Sequence, residues 1–204
     1  MQFRRSLLAA TFAAVVFATQ TFAAVTIGAP APDFSLRDSN GQTQSLSQYK
    51  GKTVVLEWNN PGCPFVRKHY ASGNIPTQQA RATAAGVVWL TINSGASGKQ
   101  GDLDSNGAKN FVAQYNAKPS AYLFDRDGKV GRAYGAKTTP HMYVIDRSGA
   151  LRYMGGIDSI ASTDPEDIDK ATQYVPQVLA ELRDGRPVSV TTSQPYGCSV
   201  KYGP

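Results

Sequence analysis

The chain has two cysteines and two histidines, and one of the cysteines stands where its surroundings would make it reactive. Cys63 follows Asn59-Asn60-Pro61-Gly62 and directly precedes Pro64. Proline is favoured at the first helical position, so the spacing predicts that Cys63 opens a helix. Unpaired N–H groups and the positive end of the helix dipole there stabilise thiolate over thiol, which makes the sulfur a nucleophile. The second cysteine of a CxxC pair is replaced by Val66, so an intramolecular sulfur partner has to be Cys198. Closing a loop of about 135 residues between them would contribute about 5 kcal/mol in the chain-entropy model. A plain structural staple is therefore a serious alternative to a redox pair.

Other side chains near Cys63 in sequence are ambiguous. Glu57 is the only charge in the run Thr53-Val54-Val55-Leu56-Glu57-Trp58. Its burial would favour the protonated form and suit it to proton transfer, whereas an edge position or a lysine partner would explain it without chemistry. Arg67, Lys68 and His69 lie in the first turns of the expected helix, where a solvated face accounts for them more simply than thiolate stabilisation. His141 follows Pro140; beside Cys63 it would shift the thiol pKa or take up its proton, while a satisfied strand histidine is the simpler reading. Cys63, Cys198, His69 and His141 are together adequate in type for Cu(I) or Zn. None stands at chelating spacing, so no metal and no other cofactor is expected.

The elements that must position these residues are legible from hydrophobic pattern. Phe34 to Arg37 and Thr43 to Leu46 flank Ser39-Asn40-Gly41 and read as a β-hairpin. Thr53 to Trp58 and Val87 to Ile92 are near-continuous apolar runs, as in strands covered on both faces of a parallel sheet. Pro64 through Ala85 supplies the crossover helix, in two pieces because Ser72-Gly73-Asn74 and Pro76 interrupt it. A further helix is expected around Ser105 to Asn116, and Asp125 to Lys129 reads as a hairpin turn. His141 to Asp146 and Leu151 to Gly155 form a second hairpin, and Ile168 to Arg183 a last helix kinked or divided at Pro176. The implied fold is α/β: a central mixed sheet with helices on both faces and an N-terminal hairpin. Chemistry on such sheets gathers at the carboxyl ends of the strands, which points to Asn59 through Cys63.

Composition narrows the functional classes. Of 204 residues, 41% are hydrophobic and 18% charged, as in a globular domain. The formal charge of +6 includes Arg4 and Arg5, and the basic residues are scattered, so no nucleic-acid partner is expected. Residues Met1 to Arg5 are basic, and Leu7 to Ala18 form an apolar run too short to span a bilayer. Residues 1–23 read as a signal peptide cut after Ala23, leaving 24–204 as one domain with a tail over 185–204 and no stable membrane anchor. The expected location is periplasmic or secreted, where cysteines can oxidise.

Several segments carry a family resemblance. Ala31-Pro32-Asp33-Phe34 with Leu36, Gly41, Leu46 and Gly51-Lys52, then an apolar strand and a cysteine before proline, resemble the redoxin branch of the thioredoxin-fold superfamily, of the alkyl hydroperoxide reductase and thiol-specific antioxidant type. The likeness continues through Phe124 to Val130, Tyr134-Gly135, Thr138-Thr139-Pro140-His141 and Asp146 to Gly149. Cys63 to His69 and Gly197 to Lys201 are similar to a peroxiredoxin-like subgroup. The resemblance implies a thioredoxin-like three-layer sandwich. It implies that Cys63 is the attacking cysteine, that Pro140 is a cis-proline packed against it, and that Glu57 matches the buried acid assisting proton transfer. Thr139, Pro140 and Pro64 are expected to receive substrate, with Thr139 pairing to a bound polypeptide strand. Asn60 and Leu56 depart from the threonine and proline that peroxiredoxins usually carry before the attacking cysteine.

The sequence therefore predicts an exported thiol-disulfide oxidoreductase or peroxiredoxin-like antioxidant protein, with Cys63 as nucleophile and Cys198 as resolving cysteine. Its partners would be a thiol or disulfide protein or a hydroperoxide, together with an electron donor. The alternative is a non-catalytic binding module with a structural Cys63–Cys198 disulfide or a copper site.

Overall fold

The computed structural model describes residues 25–204, and the expected signal peptide lies outside them. Seven strands form one mixed sheet. Its first two, β1 (Ser35–Asp38) and β2 (Thr43–Ser45), make the expected antiparallel hairpin. Leu46, expected to extend β2, instead begins a short 3-10 turn. The strands β3 (Val54–Trp58) and β4 (Val88–Asn93) are buried along their whole length and pair in parallel. Between them run α1 (Pro64–Ala71) and α2 (Asn74–Ala84). The break falls at Gly73, whose φ of +77° is left-handed. Pro76 does not interrupt the helix, because it lies in the first turn of α2, where a missing N–H leaves no bond unmade.

Downstream, α3 (Ser105–Gln114) is capped by Asp104, whose Oδ1 accepts from Gly107 N–H at 2.7 Å. A strand unforeseen from the sequence, β5 (Ala121–Phe124), then pairs with β4 in parallel and with β1 antiparallel. The Asp125 to Lys129 segment is not a hairpin turn. It leads into α4 (Lys129–Tyr134), because buried Asp125 accepts the Val130 and Gly131 N–H groups and so seats the helix start. A two-residue strand, β6 (Thr138–Thr139), precedes the antiparallel pair β7 (His141–Ile145) and β8 (Leu151–Gly155). The last helix, α5 (Tyr174–Arg183), begins six residues later than the pattern suggests. Pro176 falls within its first turn and neither kinks nor divides it. The chain closes on β9 (Cys198–Ser199), which pairs with β6.

In the main sheet the order is β2-β1-β5-β4-β3-β7-β8. Strand alternation sorts its side chains into two cores. Val55, Trp89, Met142, Val144 and Tyr153 face α1, α2, α3 and α5, packing with Val66, Tyr70, Ile75, Phe111 and Val178. Leu56, Trp58, Leu90, Ile92, Tyr143 and Ile145 face the other way, toward Phe34, Val130 and Tyr134 of α4. With helices on both faces, this is the three-layer α/β sandwich read from the sequence. Cys63 sits at the top of central strand β3, which holds its position from both sides.

Candidate active site

Beyond β3, the Asn59 N–H still bonds Ile92 O at 2.8 Å, and the chain then turns tightly. The turn is closed by Cys63 N–H to Asn60 O at 2.9 Å and by Gly62 N–H to Asn60 Oδ1 at 2.8 Å. Cys63 is the extended residue capping α1, with Pro64 at the first helical position. Its carbonyl accepts from Arg67 N–H at 2.9 Å, the opening bond of the helix. Cys63 therefore opens the helix, as its spacing before Pro64 predicts.

The thiol of Cys63 donates to Thr139 O at 3.1 Å, and the Thr139–Pro140 bond is cis. Opposite Thr139 in the β6–β9 ladder stands Cys198. Residues 63, 139 and 198 are thus gathered at one point. Both cysteines are free thiols. Burial opposes ionisation of Cys63, but hydrogen bonds from the Cys198 thiol and from the Val66 and Cys198 backbone outweigh it and lower its pKa. Cys198 is pushed up to about 11 by burial, by its hydrogen bond to Cys63 and by the charge of that neighbour. One sulfur is poised to ionise and the other to stay protonated. Cys63 has no exposed surface, while Cys198 is partly exposed.

Glu57 is neither at an edge nor beside a lysine. Its Oε1 accepts from Tyr70 OH at 2.7 Å and from Asn59 Nδ2 at 3.0 Å. Its Oε2 accepts from Trp89 Nε1 at 2.8 Å, Gln79 Nε2 at 3.1 Å and Thr91 Oγ1 at 3.2 Å. These donors come from β4, α1, α2 and the end of β3, so one fully buried carboxylate ties together the elements that position Cys63. Cys63 is not among its hydrogen-bonding partners.

The solvated-face reading holds for Arg67 and fails for its neighbours. Arg67 is exposed and donates to Pro61 O at 3.0 Å, while Lys68 and His69 are buried. The cover comes from far along the chain. Lys68 Nζ reaches Ser162 O at 2.9 Å, and His69 Nε2 meets Tyr196 OH at 3.0 Å. Tyr196 OH donates to buried Asp158, and Asn74 Nδ2 lies 2.9 Å from His69 Nδ1. This network assigns the neutral tautomer with the proton on Nε2. Burial lowers the His69 pKa to about 4 despite the attraction of Asp158, with Lys68 lowering it further. Sequence reasoning missed Tyr196 and Asp158. The signal for the first was an aromatic residue next to Gly197-Cys198 in a segment that had no need of one if fully solvated.

His141 is a satisfied strand histidine. It stacks on Tyr143 at 4.6 Å, and its Nδ1 accepts from Lys137 N–H at 3.3 Å. Burial lowers its pKa to about 4, with Lys137 contributing. Among the described residues no group of three or more His, Cys, Asp or Glu is placed to hold a metal ion. Both imidazoles of the conjectured copper set are engaged by other partners. A cavity of about 630 Å³ lies between α2 and α5, lined by Arg81, Trp89, Arg147 and Leu179 among others, and contains none of the residues gathered at Cys63.

The arrangement can be compared with known proteins. The model of the AhpC/TSA family matches residues 27–154. The chain belongs to the AhpC/TSA family. That match includes Cys63, Thr139 and Pro140 and stops short of the tail bearing Cys198. This AhpC/TSA chain is 29% identical over 141 residues to a putative chloroplastic peroxiredoxin Q of Oryza sativa subsp. indica, covering 64% of the chain and 58% of that protein. It therefore spans less than three fifths of the length of that relative. It is 30% identical over 131 residues to the thiol-disulfide oxidoreductase ResA of Geobacillus thermodenitrificans, covering 63% and 68%. Among solved structures, an uncharacterized conserved protein from Geobacillus kaustophilus superposes with a TM-score of 0.75 at 25% identity, covering 91% of this chain and 95% of that one. A putative thiol:disulfide interchange protein DsbE from Chlorobium tepidum superposes with a TM-score of 0.53 at 28% identity, covering 64% and 85%. The fold of this AhpC/TSA protein is thioredoxin-like.

Proposed function

We propose that the protein is an exported thiol-disulfide oxidoreductase whose nucleophile is Cys63 and whose resolving cysteine is Cys198. The observation that carries this reading is the convergence on Thr139: the Cys63 thiol bonds its carbonyl at 3.1 Å, and Cys198 lies opposite it in the ladder. The Cys63 thiolate attacks one sulfur of a disulfide, forming a mixed disulfide and releasing one thiolate. Cys198 then gives up its proton and attacks the Cys63 sulfur, which releases the second thiolate and leaves the pair oxidised. An external thiol donor reduces the pair for the next cycle. Pro64 fixes the helix start behind the nucleophile, Thr139 and Pro140 wall the site, and Glu57 holds the frame. The leader at residues 1–23 supports export to a compartment where such a pair can cycle.

A thiol peroxidase is the second reading, favoured by the likeness to peroxiredoxin Q. There Cys63 would take one oxygen from a hydroperoxide, releasing the alcohol, and Cys198 would condense with the sulfenic acid to give the disulfide and water. Disulfide exchange is preferred because the turn before Cys63 offers it no hydroxyl: Asn60 is committed to Gly62 N–H and to Gln100 O.

The experiment is a count of free thiols before and after reduction, with turnover on a disulfide and on hydrogen peroxide. Two thiols should appear on reduction and turnover should vanish in Cys63→Ser. Undiminished turnover in that variant rejects the proposal, and a faster reaction with peroxide than with disulfide selects the second reading.

A further inference from the structure

The strand edge beside the nucleophile is already taken. The strands β6 and β9 form a sheet of their own, with Thr139 opposite Cys198 and Thr138 opposite Ser199. A strand edge next to a reactive thiol is where an extended polypeptide would pair, main chain to main chain. Here Val200 N–H donates to Lys137 O at 3.0 Å, and Thr139 Oγ1 to Cys198 O at 3.4 Å. Gly197 makes the approach sterically feasible. Its φ is +125°, and a Cβ there would lie 2.0 Å from Thr139 O, so a side chain would force the segments apart.

The segment is seated at both ends. Upstream, Tyr196 is held by His69 and Asp158, and Ser193 Oγ accepts from Gly156 N–H at 3.0 Å. Downstream, Lys201 O accepts from Ala96 N–H at 2.9 Å and Tyr202 OH donates to Ala136 O at 2.8 Å. The Arg132 guanidinium lies over the Tyr202 ring at 4.7 Å and also donates to Gly203 O at 2.7 Å. Gly131 leaves the room, since a Cβ there would meet Tyr202 OH at 2.3 Å. With this cover in place Cys63 has no exposed surface.

We propose that residues 196–202 are an intramolecular stand-in for a substrate strand, which holds the Thr139 edge and restricts Cys63 to low-molecular-weight disulfides. The inference rests on the function proposed above and names its substrate class. A polypeptide disulfide must lay several residues along β6, which requires the whole segment to leave. A small disulfide needs only a local parting near Cys198. Its two sulfurs leave as two small thiols, by the attack and resolution steps already given, while Cys198 remains close enough to resolve. If the segment were released in about one molecule in a hundred, apparent affinity for a competing strand would fall about a hundredfold.

The test compares the reduced full chain with Gly197→Val, which forces β9 from β6, and with Tyr202→Ala, which loosens the downstream anchor without touching the glycine. Loss of free thiols is followed with 2-hydroxyethyl disulfide and with a disulfide-linked dimer of an extended peptide. The parent should react with the small disulfide at least about tenfold faster, and both variants should raise the ratio of the peptide rate to the small-disulfide rate about tenfold. An equal rise for both oxidants, or no rise with the peptide, overturns the inference. Failure of the underlying reading is distinct: Cys63→Ser would then lose its remaining thiol as fast as the parent loses its pair.

Discussion

The Thr139 carbonyl accepts the Cys63 thiol on one side while its strand pairs with Cys198 on the other, so a single peptide unit holds the two cysteines in register. As a thiolate, Cys63 is stabilised partly by the Cys198 thiol. Replacing Cys198 by alanine removes that donor, and the Cys63 pKa should rise. Titration of the thiolate ultraviolet absorbance measures this; an unchanged midpoint would show that the Cys198 thiol contributes nothing to it.

Glu57 makes a second prediction. Its five donors leave no place for an amide N–H, so Glu57→Gln sets donor against donor and should cost about 2–4 kcal/mol in urea unfolding. If Glu57 acts only as a frame, the pH profile of turnover keeps its midpoint in the folded variant. A displaced midpoint would restore the proton-transfer role that its place in the sequence suggests.

Tyr196 anchors the covering segment. In Tyr196→Phe, Asp158 loses the hydroxyl donor on Oδ1 and keeps the Ile160 N–H at 3.1 Å. Leaving a buried carboxylate short of a partner costs about 1–3 kcal/mol, enough to raise the alkylation rate of Cys198 about tenfold. Iodoacetamide labelling followed by mass spectrometry reads the change, with Tyr115→Phe as a control away from the tail.

Stability should fall on mild acidification. His69 and His141 both have folded pKa values of about 4, below the unfolded value of about 6.5. The unfolded chain therefore takes up protons that the folded one refuses. The stabilisation is complete above about pH 6.5 and is lost as pH falls toward and through about 4, on the order of 1–3 kcal/mol per histidine. Urea midpoints across that range should decline, and His141→Asn should flatten the slope. A level profile in the parent protein would contradict the prediction.

The contrast between what the sequence displays and what it hides follows contact distance. Helix α1 and its cysteine were legible because a proline at the first helical position is a local signal. Strands β3 and β4 were legible because burial on both faces demands unbroken apolar runs. Strand β5 has four residues and no turn that marks it, so it took shape only between β1 and β4. Lys68 and His69 read as solvated because nothing nearby covers them. Their partners Ser162 and Tyr196 stand 94 and 127 residues away. The same separation concealed how the tail is seated, although Cys198 itself stood out as the only other sulfur nucleophile.

The β6–β9 ladder shares no strand with the seven-stranded sheet. Its opening therefore breaks none of the hydrogen bonds that support β3, and its free-energy cost is separable from that of global unfolding. In deuterated buffer the Val200 amide should acquire label well before those of Val55 or Leu56. The latch proposed to cover the sulfur can therefore be loosened or tightened with little penalty to the rest of the molecule, a convenient handle for re-engineering which disulfides reach Cys63.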